Sequence, residues 1–468
     1  MIREGIARCM LARCNILGED MRASSRTTRL AAWVGALFVA LFAVACGGGP
    51  EVFAAKAPAP FTIAMIPDTQ NYVDYTHQRA EGFAIDAAEL FIEQMTWVAE
   101  HARSKGGDIA FVASVGDTWQ HGSKSIDQAH AALGFARVEN PLFGGHFDPT
   151  PKVLSVEIPK AIEGYQIISD AEIPFGVPPG NHDYDAMYNV DKYPPNLAKP
   201  REELTFAIED IGVLHVGGLE NFLSAFGAQE AFFAGQSWYI DSFAGGTSSA
   251  QIFSAGGYRF LHLALEMQAG DDVLEWARGV IADHPGLPTI VSTHDYLAPN
   301  NQRLVGGFLD LTLVDPENHN SVEQLWQKLI AREDQIFLVL CGHYHGQGLL
   351  VEDNEAGNKV YQVLADYQDR GQTGLDAGQP PGGMLGGPTG IGDGWLRLLT
   401  FDTASDPPTI QMRTYSTHYR KFASELPSYA AWYREHEQKD MTDEEFLAAE
   451  EYELVLDDFR ERFGPPRP

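Results

Sequence analysis

The stretch FTIAMIPDTQNY, residues 61–72, climbs through an apolar run and stops abruptly on Asp68-Thr69-Gln70. The run FTIAMIP carries β-branched members and has the length of a strand. A buried strand that finishes on a carboxylate is unusual, and the same ending recurs down the chain. GGDIAFVASVGD, 106–117, is a second buried strand and ends in Gly116-Asp117. IPFGVPPGNHD, 173–183, is an extended run ending in Asn181-His182-Asp183. LPTIVSTHDY, 287–296, is a strand ending at His294, and DQIFLVLCGHYH, 334–345, ends at His343 and His345.

The segments between these strands have a helical period. Leu90, Phe91, Met95, Val98 and Ala102 share one face of a helix predicted over 85–105. Residues 125–137 read as helical and 271–284 as an amphipathic helix. The segment 321–333 opens on a Ser321 cap with Glu323-Gln324 in its first turn. QIFSAGGYRFLHLALE, 251–266, predicts a hairpin about Gly256-Gly257. His262 alternates there with Phe260 and Ala264 and reads as a core or rim histidine. Further strands are predicted over 359–367, 395–402 and 409–416. Strands alternating with helices specify a layered α/β fold.

The 468 residues are 44% hydrophobic and 11% aromatic, enough for a large core. The first 45 stand apart. Met21 is followed by Arg22, Arg26 and Arg29, then by an apolar run from Leu30 to Ala45, the pattern of an export segment starting at Met21. The run ends in AVAC, and Cys46 is followed by three glycines, which resembles a bacterial lipoprotein cleavage site with Ala43 in place of the usual leucine. Two readings are open, a lipid anchor at Cys46 and an ordinary secretory cut near Ala45. Residues 46–60 form a Pro/Ala tether and 61–420 the main domain, with irregular insertions at 138–170, 185–248 and 298–320. Residues 421–468 read as an acidic helical appendage.

Beyond residue 45 the chain carries 27 basic against 61 acidic side chains, a formal charge of −34. Such a body repels polyanions and excludes non-specific nucleic-acid binding through a basic groove. Only Cys341 lies within the folded body, so disulfides are not what holds this exported chain.

The strand ends hold two carboxylates, one amide and three imidazoles. Oxygen and nitrogen donors without thiolate suit Mn, Fe, Zn or Mg. Singly, each fragment is ordinary, since Gly-Asp is a common turn and a lone strand-end histidine is more often a satisfied polar residue. Jointly, always at the C-terminal end of a strand in an α/β chain, they specify a site.

At PDTQ, VGDT, PGNHD, STHDY and CGHYH the sequence resembles the calcineurin-like metallophosphoesterase family over about residues 61–418, including LADYQ at 364–368. The resemblance implies a four-layer αββα sandwich of two mixed sheets flanked by helices, carrying two divalent metal ions. It implies that Asp117 bridges both ions, Asp68 and His345 hold the first, and Asn181, His294 and His343 hold the second. His182 would protonate the leaving oxygen and Asp183 would orient His182. The implied activity is hydrolysis of phosphomonoesters or phosphodiesters through a hydroxide bridging the ions.

Gln70 departs from the pattern, which has histidine there. Three roles are open to it: ligand of the first ion, partner of a metal-held water, or packing. Trp119 and His121 follow Asp117 and either flank the pocket or pack in loops, and Tyr184 and Asp185 follow the third motif, where they could touch substrate. The alternative to an enzyme is a non-catalytic envelope lipoprotein that binds a phosphate-bearing ligand.

Overall fold

The computed structural model describes residues 58–467, apart from 141, 142, 144, 201, 202, 206, 305, 306 and 384–386. The export segment and Cys46 lie outside the described residues. Strand Phe61–Ile66 sits in the middle of a seven-stranded sheet, antiparallel to Trp395–Asp402 and parallel to Ile109–Ser114. Phe175–Gly176 continues the parallel set on one side, and Thr409–Ser416 extends the antiparallel side. A second seven-stranded sheet runs Gly346–Asp353, Lys359–Asp366, Ile336–Gly342, Thr289–Asp295, Tyr258–Ala264, Ser248–Ala255 and Tyr239–Phe243. Its four central strands are parallel and its flanks antiparallel, so both sheets are mixed.

Three apolar layers hold the sandwich together. Phe61, Ile63 and Met65 alternate into the core between the sheets, where they meet Phe253, Phe260, Ile290 and Phe337. Ala64 and Ile66 point the other way, onto helices Ala87–Glu100 and Ile158–Asp170. Leu263, Val291 and Val339 pack against helix Asp271–Asp283 on the far side of the second sheet. A strand covered on both faces has no polar side to show, which is why these segments read as continuous apolar runs. The architecture is thus the α/β arrangement of two mixed sheets flanked by helices.

The hairpin at Gly256-Gly257 forms with both glycines at positive φ, 55° and 79°, as a tight primed turn requires. His262 is fully buried, bonded to Gln251 and Ser292, and is a core residue. The helix predicted over 125–137 is realised only as Gln128–Ala132, because Gly134 at φ 90° turns the chain out and Arg137–Val138 pairs as a strand. That pairing, with Ala186–Val190 and Leu214–Gly217, makes a third, small sheet out of segments read as irregular.

The C-terminal segment is not an appendage. Tyr429, Tyr433, Phe446, Leu454 and Phe459 are buried in the core between the sheets, and strand Glu451–Val455 pairs with Thr409–Arg413. Its acidity conceals two buried carboxylates, Glu437 and Glu450, which pair with the buried Arg370, while Glu450 also pairs with Arg397.

Candidate metal centre

Six strands that run parallel within their sheets finish near one another, and the loops leaving them supply the site. Asp117 follows Gly116, and both lie at positive φ, 52° and 98°. His343 is also left-handed at φ 72°. Non-glycine residues occupy this region at a cost of about 1–3 kcal/mol, and such outliers gather at functional sites. The motif glycines have a steric reason. A Cβ on Gly180 would stand 2.2 Å from Asp117 Oδ1, and one on Gly342 would stand 2.0 Å from Asp68 Oδ1.

Asp68, Asp117 and His294 are buried and bring their ligand atoms together as a potential metal-holding group. The His294 Nδ1–H donates to the Val115 carbonyl at 2.8 Å, which turns Nε2 inward. That nitrogen lies 3.0 Å from Asn181 Oδ1, 3.2 Å from Asp117 Oδ2 and 3.9 Å from Asp68 Oδ2. The ring of His343 stands 5.0 Å from that of His294, and its backbone N–H donates to Asp68 Oδ2 at 3.1 Å. Asp68 Oδ1 and Gln70 Oε1 are buried polar atoms without a partner. The Gln70 amide donates to Asp117 Oδ2 at 3.2 Å and to Gln368 Oε1.

The electrostatics fit a cation. Burial, then the nearby Asp366 and Asp117 carboxylates, pushes the Asp68 carboxyl well up. Burial would also lower the His294 imidazole, but the Asp117 and Asp68 carboxylates outweigh it and push it up to about 10. Acidic groups crowded in low dielectric draw in positive charge. A divalent ion would supply that charge and the orphaned oxygens could ligate it, so the donor set fits hard-to-borderline metals.

His182 lies beside this cluster. Its backbone N–H donates to Asp117 Oδ1 at 2.9 Å, and its Nε2 is 4.0 Å from Asp117 Oδ2. The expectation that Asp183 orients His182 is overturned. His182 Nδ1 bonds the Gln120 carbonyl at 2.6 Å, while Asp183 accepts from the Thr118 N–H, the Thr118 hydroxyl and the Gly180 N–H. Asp183 therefore ties the Asp117 turn to the Gly180 turn and acts on the loops. His345 stands at the rim with its side chain 42% exposed, and its Nδ1 is 2.5 Å from Asp369 Oδ2. Of its two ring nitrogens, Nε2 is the one that can turn toward an ion.

Sequence reasoning passed over Asp366. It is buried at the end of strand Lys359–Asp366 and accepts from both the backbone N–H and the side-chain amide of Gln368. Its signal was the one used elsewhere, an apolar strand ending in a carboxylate. Trp119 packs with Phe222 and Phe226 in the core, Tyr184 is buried in a small apolar cluster, and Asp185 accepts from Glu220 and Asn221. His121 bonds Glu157 at 2.7 Å, beside Asp74, in a second buried group. From the insertion at 138–170, Phe147 and His146 stand 5.8 and 6.2 Å from the His182 ring. A cavity of about 270 Å³ opens beside His343, lined by Asp295, Asp310 and Tyr344 among others.

No known family profile matches the chain. A stretch of 188 residues, 39% of this chain, is 26% identical to the uncharacterized protein YvnB of Bacillus subtilis (strain 168), and the match spans 12% of that protein's length. Among solved structures, a dimetal phosphatase from Danio rerio is similar over 77% of this chain and 97% of its own, with 12% identity and a TM-score of 0.38. The structure of TT1561 of Thermus thermophilus is similar over 78% of this chain and 97% of its own, with 11% identity and a TM-score of 0.29.

Proposed function

We propose that this chain is a metal-dependent phosphoesterase that hydrolyses small phosphomonoesters or phosphodiesters. The observation that carries the reading is the meeting of Asp68, Asp117, Asn181 and His294, from four separated stretches of the chain, around buried oxygens that lack partners. Asp117 would be shared between two divalent ions. Asp68, with Gln70 and His345, would serve one, and Asn181, His294 and His343 the other. Bound there, the ions would supply a nucleophile from water near neutral pH and polarise the phosphoryl group.

The chain's own residues do the rest. The Gln120 carbonyl holds the His182 Nδ1 proton, so Nε2 is the nitrogen free to pass a proton to a leaving oxygen. Asp117 fixes the His182 backbone through its other oxygen, so ligand and acid are placed by one carboxylate. Glycines at 180 and 342 let the carboxylates sit against the backbone. We further infer export, with Cys46 lipidated and the domain held at the cell envelope.

The test is release of product from an aryl phosphate and a bis-aryl phosphodiester with added Mn²⁺, Fe²⁺ or Zn²⁺, alongside metal analysis by mass spectrometry. Turnover that disappears in Asp117→Asn together with bound metal supports the reading. A metal-loaded protein that hydrolyses neither substrate would leave the phosphate-binding alternative.

A further inference from the structure

A second constellation of metal-ligand side chains lies at the small three-stranded sheet and shares no residue with the site above. His130 comes from helix Gln128–Ala132 and His215 from strand Leu214–Gly217. Asp315 and His319 sit four residues apart in the insertion that follows. The Nε2 atoms of His130 and His215 face each other at 3.0 Å. Asp315 Oδ2 is 3.9 Å from His130 Nε2 and 4.0 Å from His319 Nε2. The rings of His319 and His215 stand 6.1 Å apart at 86°, which closes the four groups into a circle. His215 is fully buried, and the other three side chains are 14–15% exposed.

Two features distinguish this arrangement from imidazoles that merely pack. The outer nitrogen of His130 is held by Asp127 at 2.7 Å, the carboxylate–histidine pairing that fixes the tautomer with Nε2 as the ligand atom. The second is that His130 and His215 meet through a hydrogen bond between their Nε2 atoms at 3.0 Å, with Asp315 facing His130 Nε2, so loss of the shared proton would leave two nitrogens and a carboxylate for a cation. The circle is somewhat wider than a loaded site, since neighbouring ligands around tetrahedral zinc stand about 3.3 Å apart for bonds near 2.0 Å. Closing it takes an inward turn of the half-buried His319 and Asp315 side chains.

We propose that His130, His215, His319 and Asp315 bind a first-row divalent ion, with zinc the best match to three imidazoles and one carboxylate. The ion would tie together the short helix, the small sheet and the 315–319 loop, all outside the two main sheets. In a body whose only cysteine is Cys341, a metal clip supplies what disulfides give other exported proteins.

The experiment counts zinc per chain in the purified full-length protein after loading and gel filtration. His319→Ala, at a loop position, is expected to lose one equivalent relative to the parent, with an unchanged circular dichroism spectrum. Asp117→Asn is expected to keep that same equivalent, and cobalt(II) bound in this variant is expected to show a visible absorption band that His130→Gln removes. The proposal is overturned if His319→Ala and His130→Gln both retain the parent's zinc content. It is equally overturned if Asp117→Asn binds no stoichiometric zinc or cobalt. Neither outcome depends on phosphoester turnover.

Discussion

Asp117 combines two costly states, a left-handed backbone and a buried carboxylate. Its oxygens are divided between the His182 backbone and the inward face of His294. Burial would raise its carboxyl, but His294 and His182 hold it below the usual range, so it remains an anion ready for a cation. Asp117→Asn removes that charge and is expected to abolish metal retention at this centre, as read by elemental analysis. His182→Ala leaves every expected ligand in place. It should keep the bound metal while losing roughly 10²–10⁴ in rate on esters with poor leaving groups. Gln70→His should tighten the metal site, because imidazole is the stronger ligand, and unchanged affinity by titration would assign Gln70 to packing. The strand-end residues were legible because an apolar run that stops on a carboxylate or imidazole has few structural excuses. The partner of His182 was not legible. It is the Gln120 backbone carbonyl, and a main-chain oxygen leaves no mark in a sequence.

At the scale of elements, the loops work because glycine lets side-chain oxygens lie against backbone. Gly342→Ala would drive a methyl into Asp68, and Gly180→Ala into Asp117. Overpacking of this kind costs about 1–3 kcal/mol. Each variant should fold, melt at lower temperature in a thermal scan, and hold metal more weakly than the parent. The parallel strands and the 256–257 hairpin were readable from hydrophobic period and turn chemistry. The small sheet was not, since its strands are two to five residues long and its members are separated by loops without periodic pattern. The 421–468 segment was misread because its charge is mostly solvent-facing while its aromatic residues, spaced for a helix, point into the core.

Across the whole molecule, the two sheets and the C-terminal segment share a buried ionic network. Arg370 meets Glu437 at 2.7 Å and Glu450 at 2.8 Å, and Glu450 also meets Arg397 at 3.2 Å. Glu450→Gln leaves two guanidiniums buried with reduced compensation and should cost about 3 kcal/mol in a urea melt. Burial would raise the Glu450 carboxyl, but Arg370 and Arg397 outweigh it and hold it below its ordinary value of 4.5. Its folded-state pKa is therefore the lower one. Its contribution is fully present above the ordinary value of 4.5 and is lost as the pH falls through the depressed value. Acid unfolding should accordingly show a smaller drop below pH 4.5 in Glu450→Gln than in the parent. For the proposed envelope anchor, Cys46→Ser should move the protein from the membrane to the soluble fraction on cell fractionation.

Arg370 adjoins Asp369 and Gln368, which touch His345 and Gln70, and it is gripped by residues some seventy to eighty positions later. A ribosome delivers those later residues long after Asp68 and Asp117 have emerged. The growing polypeptide therefore cannot complete this flank of the pocket until the residues that grip Arg370 have been made. On the proposed reading, metal uptake follows completion of the chain.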